Sequence, residues 1–130
     1  PTRVDDPHKD TPLRLTIDDG FACYYTYKYF NGKITKAQAV EQMSAEDWQW
    51  YLDHEQEVYE ACAPFFFYEG DEDPLRSLGE EMGAPATLFY WLGFRIIEAY
   101  VEKNGPDSWL DIYELSVKEV LEKSGYLDQF

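Results

Sequence analysis

Sulfur and imidazole ligands are scarce in this chain of 130 residues, which has 2 cysteines and 2 histidines. Two cysteines are too few for the disulfide framework of a small secreted domain. They also lie far apart in sequence, which excludes a cysteine zinc site with short ligand spacing. Because Cys23 and Cys62 each lie among aromatic and aliphatic residues, we predict two buried thiols with a structural, core-filling role. One disulfide is the alternative if the protein is exported.

Basic residues are also in the minority. The chain has 11 lysines and arginines against 26 aspartates and glutamates, a net charge of -15. Direct binding to nucleic acid needs clustered basic side chains, so we predict none. The same charge disfavours an anionic membrane surface. No apolar run approaches the ~20 residues of a membrane span, and no signal-peptide pattern opens the chain. The compartment is left open, with the cytoplasm favoured.

Aromatic residues, in contrast, make up 18% of the chain, and hydrophobic residues make up 45%. A chain of this composition can form a hydrophobic core, which excludes an intrinsically disordered protein. Strand signals are weak, whereas helix caps and Gly or Pro stops recur. We predict an all-α fold, a single domain of five or six helices packed around a central apolar helix. This domain covers residues 15–130, after an extended arm over residues 1–14.

The caps and stops place the predicted helices along the chain. Thr16, Ser44 and Ser116 are the predicted N-caps, each followed by an acidic residue in the first turn. Residues 86–101 are the most apolar segment and predict the central helix. The other predicted helices run from Thr16 to Phe30, over 36–43, from Ser44 to Pro64, after a cap at Asp107 or Ser108, and after Ser116. A short turn of helix over 75–78 is left open.

Three charged residues interrupt their local patterns. Glu55 lies on an apolar stripe, and Arg95 lies in the central helix two residues after Gly93, whose place in a helix indicates close packing by another element. Asp19 lies at the predicted start of the first helix. Since a buried charge needs a partner, we predict a structural Glu55–Arg95 ion pair and treat Asp19 as a first-turn acid. The alternatives are that the three residues form the wall of an active site, or that they reach solvent.

Complete catalytic motifs are missing from the chain. It has no H-E-x-x-H, no G-x-S-x-G, no phosphate-binding loop and no G-x-G-x-x-G. Each of these motifs brings together the groups that one type of chemistry needs. No catalytic residues can therefore be assigned from local motifs, and Asp19, Glu55 and Arg95 are only a candidate site wall.

Four short segments follow one another along the chain: 17–24 (IDDGFACY), 50–59 (WYLDHEQEVY), 91–100 (WLGFRIIEAY) and 121–126 (LEKSGY). In this order they resemble the C-terminal half of a family of predicted zinc-dependent proteases that includes the gliding-motility lipoprotein GldB. The family shows an acidic-Gly pair that opens a helix, a helix bearing Trp and Glu, a Gly-aromatic-Arg-Ile helix and a Lys-Ser-x-Tyr tail. The resemblance covers residues 15–126.

The resemblance implies a zincin-like helical domain in which an upstream H-E-x-x-H and the acid of the acidic-Gly pair bind zinc. The position that matches this acid is Asp19, the one possible metal ligand. Catalytic zinc takes three protein ligands, so we expect zinc here only together with an upstream segment. The chain as it stands is expected to be a non-catalytic binding module, and an active zinc peptidase fragment is the alternative. In the family's pattern Arg95 would steady a substrate carbonyl or orient a ligand carboxylate.

The composition also suggests a different class of protein. A small, acidic, aromatic-rich chain without a reaction centre is typical of an inhibitor or immunity-type protein that binds a basic cleft of its partner. Acidic side chains would accelerate the encounter, and exposed Tyr and Trp would anchor the complex. The remaining possibility is that the acidic surface only keeps the protein in solution.

Overall fold

The computed structural model describes residues 6–70 and 73–130, and it confirms the all-α prediction. About 72% of the described residues are helical, and none of them lies in a strand. No helix within these two ranges is long and apolar enough to cross a membrane. The α-helices are α1 (Pro12–Phe30), α2 (Lys36–Ala39), α3 (Ala45–Asp53), α4 (Glu55–Cys62), α5 (Pro74–Met82), α6 (Leu88–Asn104) and α7 (Val117–Ser124). Short 3₁₀ helices cover Ala63–Phe65, Ser108–Glu114 and Tyr126–Gln129.

Helix α6 is the predicted central helix, with α1 and α7 as its main neighbours. Its side chains are buried on most of its circumference, including Trp91, Leu92, Phe94, Ile96 and Ile97. A helix that is apolar nearly all round is stable only where other elements cover every face. The other helices therefore arrange themselves around α6 in a single domain.

Gly20 and Gly93 lie where α1 crosses α6. A Cβ atom on Gly93 would lie 1.9 Å from the carbonyl oxygen of Thr16, and a Cβ on Gly20 would lie 2.1 Å from the carbonyl carbon of Gly93. Neither position has room for a side chain, so the two backbones are in direct contact. The close approach predicted at Gly93 is confirmed.

Helix α1 begins earlier than predicted, and Thr16 is not its N-cap. The cap is Thr11, whose hydroxyl accepts a hydrogen bond from the backbone N–H of Arg14 at 3.3 Å. Pro12 follows at the first helical position, where a backbone N–H would have no acceptor within the helix, so a proline there costs no hydrogen bond. Thr16 lies buried inside the helix, and its hydroxyl donates to the carbonyl oxygen of Pro12 at 2.8 Å. The prolines before residue 15 suggested an arm, but Pro12 starts a helix.

The segment before α1 is held against the domain by Asp6. This residue is buried, and its carboxylate accepts hydrogen bonds from the backbone N–H groups of His8 at 2.9 Å and Val117 at 2.8 Å. Val117 is the first residue of α7, so Asp6 satisfies a donor at the N-terminus of that helix. The arm predicted over residues 1–14 is therefore wrong for residues 12–14, which are helical. Residues 1–5 lie outside the described residues.

The helix predicted from Ser44 to Pro64 is broken in two at His54. Ser44 is the N-cap, as predicted, but α3 ends at Asp53 and α4 begins at Glu55. The His54 ring stacks on Trp50 with centroids 4.1 Å apart, and its Nδ1 lies 2.6 Å from the Trp50 carbonyl oxygen. Elsewhere α2 is shorter and α5 longer than predicted, and the capping box at Ser116 is confirmed.

Both cysteines are free and buried, which confirms their predicted place in the core. Burial raises the pKa of Cys23 and of Cys62 to about 12. Because the thiolate is the reactive form, we expect neither thiol to react with a maleimide in the native protein. Two equivalents should react once the chain is unfolded in denaturant, which is the internal control. Fast labelling of either cysteine before unfolding would contradict its burial.

Candidate functional site

A charged cluster centred on Arg95 joins α6 to α4 and to the C-terminal 3₁₀ helix. Nε and Nη2 of Arg95 donate to the two carboxylate oxygens of Glu55 at 2.8 and 3.0 Å, and Nη1 donates to Glu98 at 3.0 Å. The hydroxyl of Tyr126 donates to Glu55 at 2.9 Å, and Lys36 forms an ion pair with Glu98. The predicted ion pair between Glu55 and Arg95 is confirmed, in a bidentate geometry.

The electrostatics of the Arg95 cluster fit a structural role. The side chains of Arg95 and Glu55 are 23% and 12% exposed. Burial alone would lower the pKa of Arg95, but the hydrogen bonds and charges of Glu55 and Glu98 outweigh it and raise that pKa. Burial and the negative charge of Glu55 raise the pKa of Tyr126. The guanidinium thus stays charged and the phenol stays protonated, and neither is set to exchange a proton near neutral pH.

The sequence indicated this cluster only in part. Glu55 is paired as predicted, although it opens a separate helix instead of continuing the apolar stripe of α3. The structure adds Glu98, Lys36 and Tyr126, which the prediction missed. Glu98 carried a local signal, since it lies three residues after Arg95 on the same helix. Lys36 and Tyr126 are far from their partners along the chain, and no local pattern points to them.

Asp19 lies apart from this cluster. It is in the middle of α1, not at a helix start, because the helix begins at Pro12. Within the described part of the chain its carboxylate forms no hydrogen bond or ion pair with Glu55 or Arg95. Of the three residues in the candidate site wall, the structure brings two together.

Asp19 instead lines a groove between α1, α5 and the first turn of α6. The groove has a volume of about 560 Å³. A hollow of about 430 Å³ adjoins it and shares Leu15, Asp73 and Phe89 with it. Both are thus parts of one concave surface, which we call the α1–α5 groove. The apolar lining of its larger part, which holds Asp19, includes Leu15, Leu75, Gly79, Ala84, Pro85, Ala86, Leu88 and Phe89.

The charges along the α1–α5 groove are unbalanced at its Asp19 end. Arg76 is the basic residue there, and it pairs with Asp73 at 3.3 Å. Asp19 and Glu80 also line the groove, and neither carboxylate has an ion-pair or hydrogen-bond partner among residues 6–70 and 73–130. Burial, together with the negative charges of Asp18 and Glu41, raises the pKa of Asp19. The surroundings of Asp19 in the fold therefore disfavour the charged form of its carboxyl group.

This arrangement predicts that Asp19→Asn raises the thermal unfolding midpoint at neutral pH. A carboxyl whose pKa is raised in the fold binds protons more tightly there than in the unfolded chain. Its contribution to stability therefore falls as pH rises from its ordinary range through its raised pKa, and at neutral pH it is unfavourable. The neighbouring Asp18, which pairs with Arg14, is the matched control. A midpoint that falls for Asp19→Asn, or rises equally for Asp18→Asn, would contradict the assignment.

The zinc site implied by the family resemblance would use Asp19. Catalytic zinc takes three protein ligands, mostly His, Glu or Cys. The described residues hold no group of three or more His, Cys, Asp and Glu side chains that could bind a metal ion. The donors around Asp19 therefore do not fit a catalytic zinc, and we derive no chemical step through one.

Comparison with known proteins adds no assignment. The chain matches no family model, no curated protein and no solved structure. The resemblance to zinc-dependent proteases stays a hypothesis that rests on the four sequence segments alone.

Proposed function

We propose that this chain is a non-catalytic binding module that recognises a protein partner with a basic surface. The observation that carries the proposal is the α1–α5 groove, an open apolar concavity lined by the carboxylates of Asp19 and Glu80, which have no partner among the described residues. Ligand sites have this form, with apolar walls and a few placed polar groups. The Arg95 cluster, in contrast, has its charges matched within the fold, which favours a structural role for it.

The net charge supports the same kind of partner. With -15 on 130 residues, the surface potential attracts cationic molecules and repels anionic ones. Such a field accelerates the encounter with a basic partner and weakens as salt is added. The acidic charge sets the sign of the partner, and the groove supplies the place where it docks.

Peptide selection tests this proposal. A displayed library of random peptides is selected on the wild-type protein and on Ala86→Trp, which places a large ring on the exposed lip of the groove. Ala45→Trp, at an exposed position on α3, is the matched control. We expect one set of peptides to be enriched on wild type and on Ala45→Trp but lost on Ala86→Trp. The proposal would be overturned if no peptides were enriched on wild type, or if the same peptides were enriched equally on Ala86→Trp.

Metal analysis separates this module from a zinc peptidase fragment. We expect no stoichiometric zinc in protein purified without chelators, and no cleavage of a mixed peptide substrate after zinc is added. The reason is that the described residues around Asp19 form no set of zinc ligands. One tightly bound zinc per chain would favour the peptidase alternative and the family resemblance together.

Exposed tyrosines favour a second candidate, an inhibitor or immunity-type protein. The exposed fractions are 73% for Tyr29, 55% for Tyr25 and 62% for Tyr113, and Tyr25 packs against the ring of Trp109. Large aromatic side chains are frequent anchors of protein interfaces. The acidic charge would complement a basic active-site cleft. A toxin or nuclease gene beside this one would support this candidate. So would salt-sensitive inhibition of that gene's product by this protein, if Tyr29→Ala weakens the inhibition. Inhibition that Tyr29→Ala leaves unchanged would contradict the role of Tyr29 as an anchor.

A further inference from the structure

The α1–α5 groove offers apolar and acidic contacts side by side. Leu15, on α1, is 46% exposed, and it lines both hollows of the α1–α5 groove, as Phe89 does. These two residues make the apolar surface continuous from one hollow to the other. Asp19 lies four residues after Leu15, one turn further along the same helix. An occupant of the groove therefore meets an apolar strip and a carboxylate about one helical turn apart.

Glu80 places a second carboxylate on a different helix, α5. With Arg76 already paired to Asp73, the charge that the described residues leave unpaired at this end of the groove is negative. A carboxylate beside apolar groove walls favours a cation that brings its own apolar stem, because the stem covers apolar surface while the charge meets the acid. Lysine and arginine side chains have this form.

Charge also limits which macromolecule can enter. Nucleic acid and anionic lipid carry the same sign as Asp19 and Glu80. A second copy of this chain brings a further -15 of charge, which opposes association. A basic segment of another protein is complementary in both charge and shape. Amphipathic segments enter apolar grooves in this way, with side chains at i, i+3, i+4 and i+7 as anchors.

Resting on the proposed function, we infer that the α1–α5 groove binds a basic amphipathic segment of the partner protein. A lysine or arginine of the segment lies against Asp19, and apolar side chains lie against Leu15 and Phe89. Glu80 meets a second cation from the opposite wall. The partner is thus recognised by alternating apolar and cationic side chains and not by basic charge alone.

Three synthetic helical peptides test this inference on the whole chain. All three carry leucines at i, i+3, i+4 and i+7, and their remaining positions are mainly lysine in the first, glutamine in the second and glutamate in the third. Calorimetry measures the affinities, and amide chemical shifts locate the contact. We expect the lysine peptide to bind and to shift amides of α1, α5 and the start of α6. The glutamine peptide should bind at least about tenfold more weakly, which corresponds to ~1.4 kcal/mol.

Asp19→Asn supplies the residue-level test. It should weaken the lysine peptide about tenfold, the equivalent of ~1.4 kcal/mol, and leave the glutamine peptide unchanged. The matched control is Asp53→Asn, which removes the same charge from an exposed position on α3 outside the groove lining. Binding to Asp53→Asn should stay within about twofold of wild type once salt is fixed, since distant surface charges are screened.

The possible failures point to different errors. If the glutamine peptide binds as tightly as the lysine peptide, the basic occupant is wrong while the binding module stands. If Asp19→Asn and Asp53→Asn weaken binding equally, the attraction is diffuse and the site at Asp19 is wrong. If the library selection and all three peptides give no binding in the groove, the proposed function itself is overturned.

Discussion

Arg95→Leu should lower the free energy of unfolding by about 3–5 kcal/mol, the usual cost of breaking a buried ion pair from one side. Among the residues that the structure describes, the leucine leaves Glu55, only 12% exposed, with the Tyr126 hydroxyl as its remaining hydrogen-bond partner. It also removes a cation beside Glu98, which still pairs with Lys36. A domain is held together by only ~5–15 kcal/mol, so the loss is large. Urea unfolding followed by circular dichroism measures it directly.

Two further variants show whether the loss comes from the pairing. Adding Glu55→Gln to Arg95→Leu removes the stranded charge, so this double variant should recover a substantial part of the loss. Arg76→Leu breaks the Arg76–Asp73 pair, in which the Arg76 side chain is 71% exposed, and should change stability by at most ~1 kcal/mol. If Arg95→Leu costs less than about 0.5 kcal/mol, as surface changes usually do, the cluster contributes little.

The fold was largely predictable because its signals are local. Caps such as Ser44 and Ser116, with their hydroxyls accepting from a backbone N–H three residues on, can be read from a short stretch of sequence. The central helix was evident from a long apolar run in which Arg95 and Glu98 are the charged residues. The errors at Thr16 and His54 arose where one local signal masked another. The prolines near the N-terminus indicated an extended arm, whereas α1 already begins at Pro12. The continuous apolar spacing after Ser44 predicted one helix, whereas the stacking of His54 on Trp50 stabilises a break.

The candidate sites were predictable only where burial forced a partner on a charged residue. Arg95 stands in an apolar helix, so it required an acid, and Glu55 was the acid placed to meet it. The α1–α5 groove had no such signal. It forms because α1, α5 and the first turn of α6 come together in space, and Asp19 and Glu80 lie on two of these helices. The chain has 26 aspartates and glutamates, and the sequence does not distinguish those that gain a partner from those that do not. That difference becomes visible only in the fold.

Gly93→Ala should produce the second large loss of stability, about 3 kcal/mol or more, at the upper end of the range for overpacked cores. The added Cβ would lie 1.9 Å from the Thr16 carbonyl oxygen and 2.9 Å from the Gly20 Cα, so α1 and α6 must move apart. Backbone atoms cannot swing away as a side chain does. In an open helix the same change gains up to ~1 kcal/mol, so even the sign of the effect is informative. Thermal and urea unfolding both measure it.

Gly79→Ala is the matched control, since Gly79 also lies inside a helix. Its added Cβ would meet the Leu88 Cδ1 atom at 3.1 Å, the end of a flexible side chain that can shift. The gain in helix propensity should offset this contact and keep the change within ~1 kcal/mol.

Because α1 carries Leu15 and Asp19 while α6 carries Phe89, separating the two helices also alters the groove. Gly93→Ala should therefore weaken the lysine peptide under conditions where the variant is still folded. Wild-type stability in Gly93→Ala would show that the two backbones do not touch.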